Sequence, residues 1–108
     1  MAWLYLIVAG LFEIGWPVGL KLSQMPGRRI LGFVLAVVCL GLSGVCLWFA
    51  QRTIPIGTAY AVWTGIGAVG TFLVGILFYN DPVSVLRILS ATLILAGIVG
   101  LRLSHPLA

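Results

Sequence analysis

Residues 2–20 read AWLYLIVAGLFEIGWPVGL, a run with no basic residue and one acid, Glu13, near its centre. About 18 or more consecutive apolar residues suffice to propose a membrane helix. A carboxylate at mid-membrane depth is costly unless something offsets it, so an acid in that position points to an ion or proton pathway. Three further apolar runs follow, at roughly 30–50, 55–79 and 84–103. The chain is 62% hydrophobic and 7% charged, which leaves no stretch for a water-soluble core. The expected fold is an all-α membrane protein in which residues 1–108 form a single domain of four short transmembrane helices. A cleaved signal peptide is a poor fit to the first run: no basic segment precedes it, no small-residue cleavage pattern follows it, and Glu13 interrupts its apolar stretch.

The charges support the same placement. Lys21, Arg28, Arg29, Arg52, Arg87 and Arg102 all fall at run ends or in links, where they meet lipid headgroups and fix the spans. That is an anchoring pattern, and no polynucleotide groove is expected from it. Cys39 and Cys46 lie seven residues apart in the second run, separated by about 10 Å of helix rise, too far to bridge. They read as apolar packing residues. With Glu13 the one other candidate ligand at that depth, neither a metal nor another cofactor is expected. With no nucleophile–base pair or metal-ligand cluster at one depth, an enzyme is not expected.

The links are short: Ser23 to Arg29 holds Pro26 and Gly27, Gln51 to Pro55 is tight, and Asn80-Asp81-Pro82 carries turn chemistry. Short links predict sequential helices that are antiparallel neighbours in a compact up-down bundle, with both termini on one side. Lys21, Arg28, Arg29 and Arg87 then lie on one face of the membrane and Arg52 and Arg102 on the other. So small a bias barely sets orientation. It fits either one orientation with the termini outside or a chain that inserts both ways and pairs with its inverted twin. Inverted repeats give transporters two equivalent access states, and four helices contain none, so a second, inverted copy has to supply it.

Candidate site residues gather around Glu13. Ala9, Gly10, Glu13, Trp16 and Pro17 share one stripe of the first helix, so that small residues above the acid and an indole below it shape a groove. Trp16 is only about 4.5 Å of rise beyond Glu13, too deep for an interfacial belt. Trp3 and Tyr5, near the surface, are belt residues. Ser43 lies at mid-depth in the second helix, and its hydroxyl either bonds its own backbone four residues back or serves Glu13 or a ligand. In the third helix Gly57, Ala61 and Gly65, and again Gly67, Thr71 and Gly75, form small-residue ridges that permit close helix approach. Gly65-Ile66-Gly67 is also a candidate hinge. Tyr60 and Trp63, one turn apart, are expected to project a phenol and an indole toward the acid. Ala96 and Gly100 in the fourth helix form a small pair suited to a helix contact, within or between subunits.

Leu11-Phe12-Glu13, Trp16, Gly19-Leu20-Lys21, the run Pro55-Ile56-Gly57-Thr58-Ala59-Tyr60-Ala61-Val62-Trp63-Thr64-Gly65-Ile66-Gly67 and the closing Gly97-Ile98-Val99-Gly100-Leu101-Arg102 resemble the small multidrug resistance family along the whole chain. The Glu–Trp pair and the glycine-flanked run resemble its guanidinium-exporting branch, since the multidrug branch usually lacks a Trp at the position of Trp16. The resemblance implies an antiparallel, dual-topology homodimer in a bacterial inner membrane, exporting guanidinium and small substituted guanidinium ions in exchange for protons. By the same resemblance Glu13 is the shared proton and substrate acid, lined by Trp16, Ser43, Tyr60 and Trp63. Pro17, where many relatives have a small residue, and Asp81-Pro82, in a loop where relatives often carry Glu, depart from the pattern. A broad exporter of quaternary ammonium or other cationic drugs, and a non-transporting membrane assembly subunit, are the alternative functions.

Overall fold

The computed structural model describes residues 1–104. Four helices make up the chain: α1 (Ala2–Ser23), α2 (Arg29–Ala50), α3 (Ile56–Phe78) and α4 (Val85–Ser104). Each is long and apolar enough to cross a membrane. A helix of 22 residues, the length of α1 and α2, measures about 33 Å, matching a hydrocarbon layer of about 30 Å. Helix α1 passes unbroken through Pro17 and ends three residues later than the apolar run suggests. There Ser23 Oγ donates to the Leu20 carbonyl at 2.6 Å and Lys21 supplies a cation to the last turn.

The links have specific local causes. Gly27 turns the α1–α2 link with φ of +77°, a left-handed conformation that disfavours a side chain. Asn80 closes α3 at φ of +56°, a conformation Asn tolerates better than most residues. Beyond it the Asp81 amide donates back to the Gly75 carbonyl at 3.1 Å, alongside the Tyr79 amide at 3.0 Å.

Helix α1 is the centre of the fold, with α2 packed along one side and α3 along the other. The α1–α2 seam is built on glycine. A Cβ at Gly19 would lie 2.6 Å from the Ala36 amide nitrogen, and one at Gly32 would collide with the backbone of Ser23 and Gly19. Toward the termini, Leu6, Ala50, Ile54, Ala59 and Val62 form the buried core, with Trp3, Trp63, Ile66 and Ile98 against it.

Of the sequential neighbours expected from the short links, α1–α2 and α3–α4 pack, but α2–α3 does not close the bundle. Among the described residues α2 and α3 barely touch, α4 packs mainly on α3 and reaches α1 through Arg102 over the Trp3 ring, and the molecule is a slab of 49 × 34 × 17 Å. No residue of α4 is buried. A short link constrains only the ends it joins. In lipid no hydrophobic force drives apolar helices together, so close packing follows where small residues let backbones approach.

Candidate site around Glu13

Glu13 sits on the middle of α1, facing α3. Its Cγ occupies the space that a side chain on Gly67 would need: a Cβ there would come within 2.5 Å of it. Glycine at 67 thus lets the acid lie against the α3 backbone. Glu13 Oε1 is buried and accepts no hydrogen bond. One turn on, Trp16 Nε1 is likewise buried and donates to nothing. Enclosed polar atoms are nearly always paired, so an unpaired acceptor and donor three residues apart stand out as binding capacity. Pro17 adds to this, because its missing N–H leaves the Glu13 carbonyl without its usual helical donor.

A groove of about 390 Å³ opens from Glu13 along α3, walled by Pro17, Thr64, Thr71, Phe72 and Asp81. A larger recess of about 700 Å³ lies at the α1–α2 turn, between Leu20, Ser23, Met25 and Phe33, and contains no acid. The groove at Glu13 is the one with the chemistry.

Ser43 is fully buried and does neither of the two things expected of it. Its Oγ donates across the helix interface to the Ala9 carbonyl of α1 at 2.7 Å, and accepts from Trp63 Nε1 at 2.8 Å. Ala9 lies four residues before Glu13, so its carbonyl also takes the Glu13 amide in the helix. The Ser43 hydroxyl and the Trp63 indole therefore clamp α1, α2 and α3 together one turn from the acid, and neither has a proton left to donate to Glu13. The Tyr60 ring lies 5.4 Å from that of Trp63, tilted by 57°, and is itself 57% exposed on the outer face of α3.

The small residues have distinct contacts. Gly10 faces the Ile66 side chain, Gly67 faces Glu13, and Gly65 seats Ile94 and Ile98 of α4. Helix α3 runs through Gly65-Ile66-Gly67 without a break. The structure thus groups Glu13 with Gly67, and Ser43 with Trp63 and Tyr60, while Trp16 stands apart with a free indole N–H.

Sequence reasoning missed Thr64, Thr71, Phe72 and Asp81 as groove residues. Thr64, Ala68 and Thr71 recur at helical spacing on the face of α3 that carries Gly67. That signal was readable, but Thr71 was credited only as a small spacer.

Four of the six Lys and Arg side chains lie over aromatic rings, that of Arg87 over the groove wall Phe72. Lys21 lies over Tyr79 at 5.9 Å, Arg52 over Trp48 at 5.7 Å, Arg87 over Phe72 at 5.0 Å and Arg102 over Trp3 at 4.9 Å. Such pairs at helix ends are interfacial anchors. Both cysteines are free, and no group of three metal-ligating side chains occurs among the described residues.

Four helices long and apolar enough to span, with a single acid among them on a groove near the middle of α1, define a small polytopic membrane protein. The Small Multidrug Resistance protein family profile matches residues 1–94, and the chain belongs to that family. It is a multi-pass inner-membrane transporter and not an enzyme. A guanidinium exporter of Yersinia pestis is 48% identical over 104 residues, covering 96% of this chain and 99% of that protein. Guanidinium exporters of Citrobacter freundii and Salmonella typhimurium are each 46% identical over 104 residues, with 96% of this chain and 98% of theirs covered.

Proposed function

We propose that the protein exports guanidinium and small substituted guanidinium ions in exchange for protons, working as an antiparallel homodimer with Glu13 as the shared site. The observation that carries this reading is Glu13, half-buried on its groove with Oε1 enclosed and unpaired, the one acid within the four spans. The names of the relatives support the substrate class.

Guanidinium is a planar cation whose N–H groups fan outward, and a carboxylate accepts two of them in parallel. Two Glu13 side chains, one from each subunit, then hold one ion in a plane. Trp16, three residues on from the acid with a free indole N–H, supplies cation–π attraction in this scheme, worth roughly 0.5–2 kcal/mol depending on desolvation. Ser43, Trp63 and Tyr60 act as the wall that fixes the position of α1. A proton and a cation compete for the same carboxylates, so occupancy by one excludes the other. The empty, charged site resists crossing the membrane. Exchange follows: protons enter as guanidinium leaves. Guanidinium-driven proton flux in proteoliposomes tests the reading, and its absence in the wild-type protein overturns it.

The dimer rests on three observations: a weak charge bias, no internal repeat, and an α4 with no buried residue, whose Gly97 and Gly100 meet nothing within 4 Å. Single cysteines placed near each terminus are expected to label from both sides of one membrane. Uniform labelling from one side would replace the inverted pair with a parallel assembly or with a heterodimer.

The family's name, with its multidrug members, favours a second reading as a broad cation exporter. The two separate on hydrogen bonding. Tetramethylammonium has charge but no N–H donor, and urea has donors but no charge, so neither satisfies paired carboxylates as guanidinium does. Trp16→Gly is expected to admit bulkier cations and to weaken guanidinium binding by about 0.5–2 kcal/mol, the scale of a lost cation–π contact. Transport currents for the three solutes in wild type and variant decide between them. Equal wild-type currents for guanidinium and tetramethylammonium would favour the multidrug reading.

A further inference from the structure

The Glu13 groove has a second acid at its far end. Asp81 lines it, and also lines an adjoining recess of about 250 Å³ that reaches Lys21 and Tyr79. The two recesses share Pro17, Thr71 and Asp81, which makes a continuous path between α1 and α3 from the membrane boundary to Glu13. Glu13 and Lys21 are eight residues apart on α1, so the path is about 12 Å long.

The α3–α4 link aims Asp81 along this path. With Asn80 left-handed and the Asp81 amide bonded to the Gly75 carbonyl, the carboxylate folds back onto Gly75, where a Cβ would collide with Oδ2. The two nearby cations do not neutralise it. Lys21 and Arg87 lie over Tyr79 and Phe72, and among the described residues Asp81 makes no ion pair.

We propose that Asp81 is an outer capture site, at which a guanidinium-class cation first docks before passing along Thr71 and Thr64 to Glu13. The inference rests on the guanidinium reading and deepens it by naming the entry residue. In an inverted pair each membrane face carries one Asp81, so loading and release meet the same device. Lys21, on the opposite wall of the outer recess, opposes entry.

The test is guanidinium-dependent proton flux by the full chain in proteoliposomes of neutral lipid, at low and high ionic strength. Asp81→Asn is expected to raise KM for guanidinium about two- to fivefold at low salt, the scale of one exposed charge interaction. The shift in KM exceeds any change in maximal rate. It shrinks near 1 M salt, where the screening length is about 3 Å. Asp81→Glu restores KM, and Lys21→Gln lowers it. A purely structural role in closing α3 would instead lower the maximal rate and leave salt dependence unchanged. Should Asp81→Asn not fold, Lys21→Gln and the salt dependence of wild-type KM decide the matter, and a wild-type KM indifferent to salt overturns the proposal. Wild type that moves no guanidinium refutes the export reading. Wild type that transports, with an Asp81→Asn KM equal to its own, refutes only the capture site.

Discussion

Glu13→Gln is expected to abolish both guanidinium transport and the proton movement coupled to it. Glutamine keeps the shape of the side chain against Gly67, where its Cγ fills the same space, but it carries no charge and neither takes up nor releases a proton near neutral pH. No other acid within the spans can substitute, because Asp81 lies outside α3 and α4. A cation left in that environment without a counter-charge loses a stabilisation that low dielectric makes large. Glu13→Asp keeps the charge and shortens the reach by one methylene, so a measurable fraction of transport remains. The readout is proton flux under a guanidinium gradient, with the helix content and monodispersity of the purified protein as the control for folding. Transport retained by Glu13→Gln would remove the acid from the mechanism and with it the exchange scheme.

Parts of the fold and the site were legible in the sequence because they depend on local pattern. Each span is a property of one run, and Glu13 is conspicuous because nothing around it is charged. Which helix packs on which is not local. Small residues occur in all four helices, yet Gly19 of α1 and Gly32 of α2 mesh while Gly41 of α2 and Gly97 and Gly100 of α4 meet nothing within 4 Å. Periodicity records that a face is small without recording what it faces.

The same limit explains Ser43. Its depth was readable, but its bond to Ala9 depends on the α1–α2 crossing, which brings a carbonyl of one helix to a hydroxyl of the other. Trp63, expected to point its indole at the acid, gives its N–H to Ser43 instead. Pro17 was readable as a departure from helix chemistry. Its place on the Glu13 stripe was readable too, but the opposite wall of the groove comes from α3, which the pattern of α1 does not record.

The other large effect is expected at Gly32. Here the obstacle is backbone: a Cβ would collide with the Ser23 amide and the Gly19 carbonyl, neither of which can rotate out of the way. Relief requires α1 and α2 to move apart. Overpacking a well-fitted interface costs about 1–3 kcal/mol, and contact with rigid backbone puts Gly32→Val at or above the upper end of that range. Gly41→Val is the matched control, since Gly41 lies on the same helix with nothing within 4 Å, so the change in helix propensity cancels between the two. Thermal unfolding followed by helix content, and the monodisperse fraction after extraction, are expected to separate the pair clearly. Transport should fall with stability, because the seam that Gly19 and Gly32 close also carries Ser43 to Ala9, one turn from Glu13. Equal stability of the two variants would show that α1 and α2 do not meet backbone to backbone. The clamp that positions the acid would then need another support.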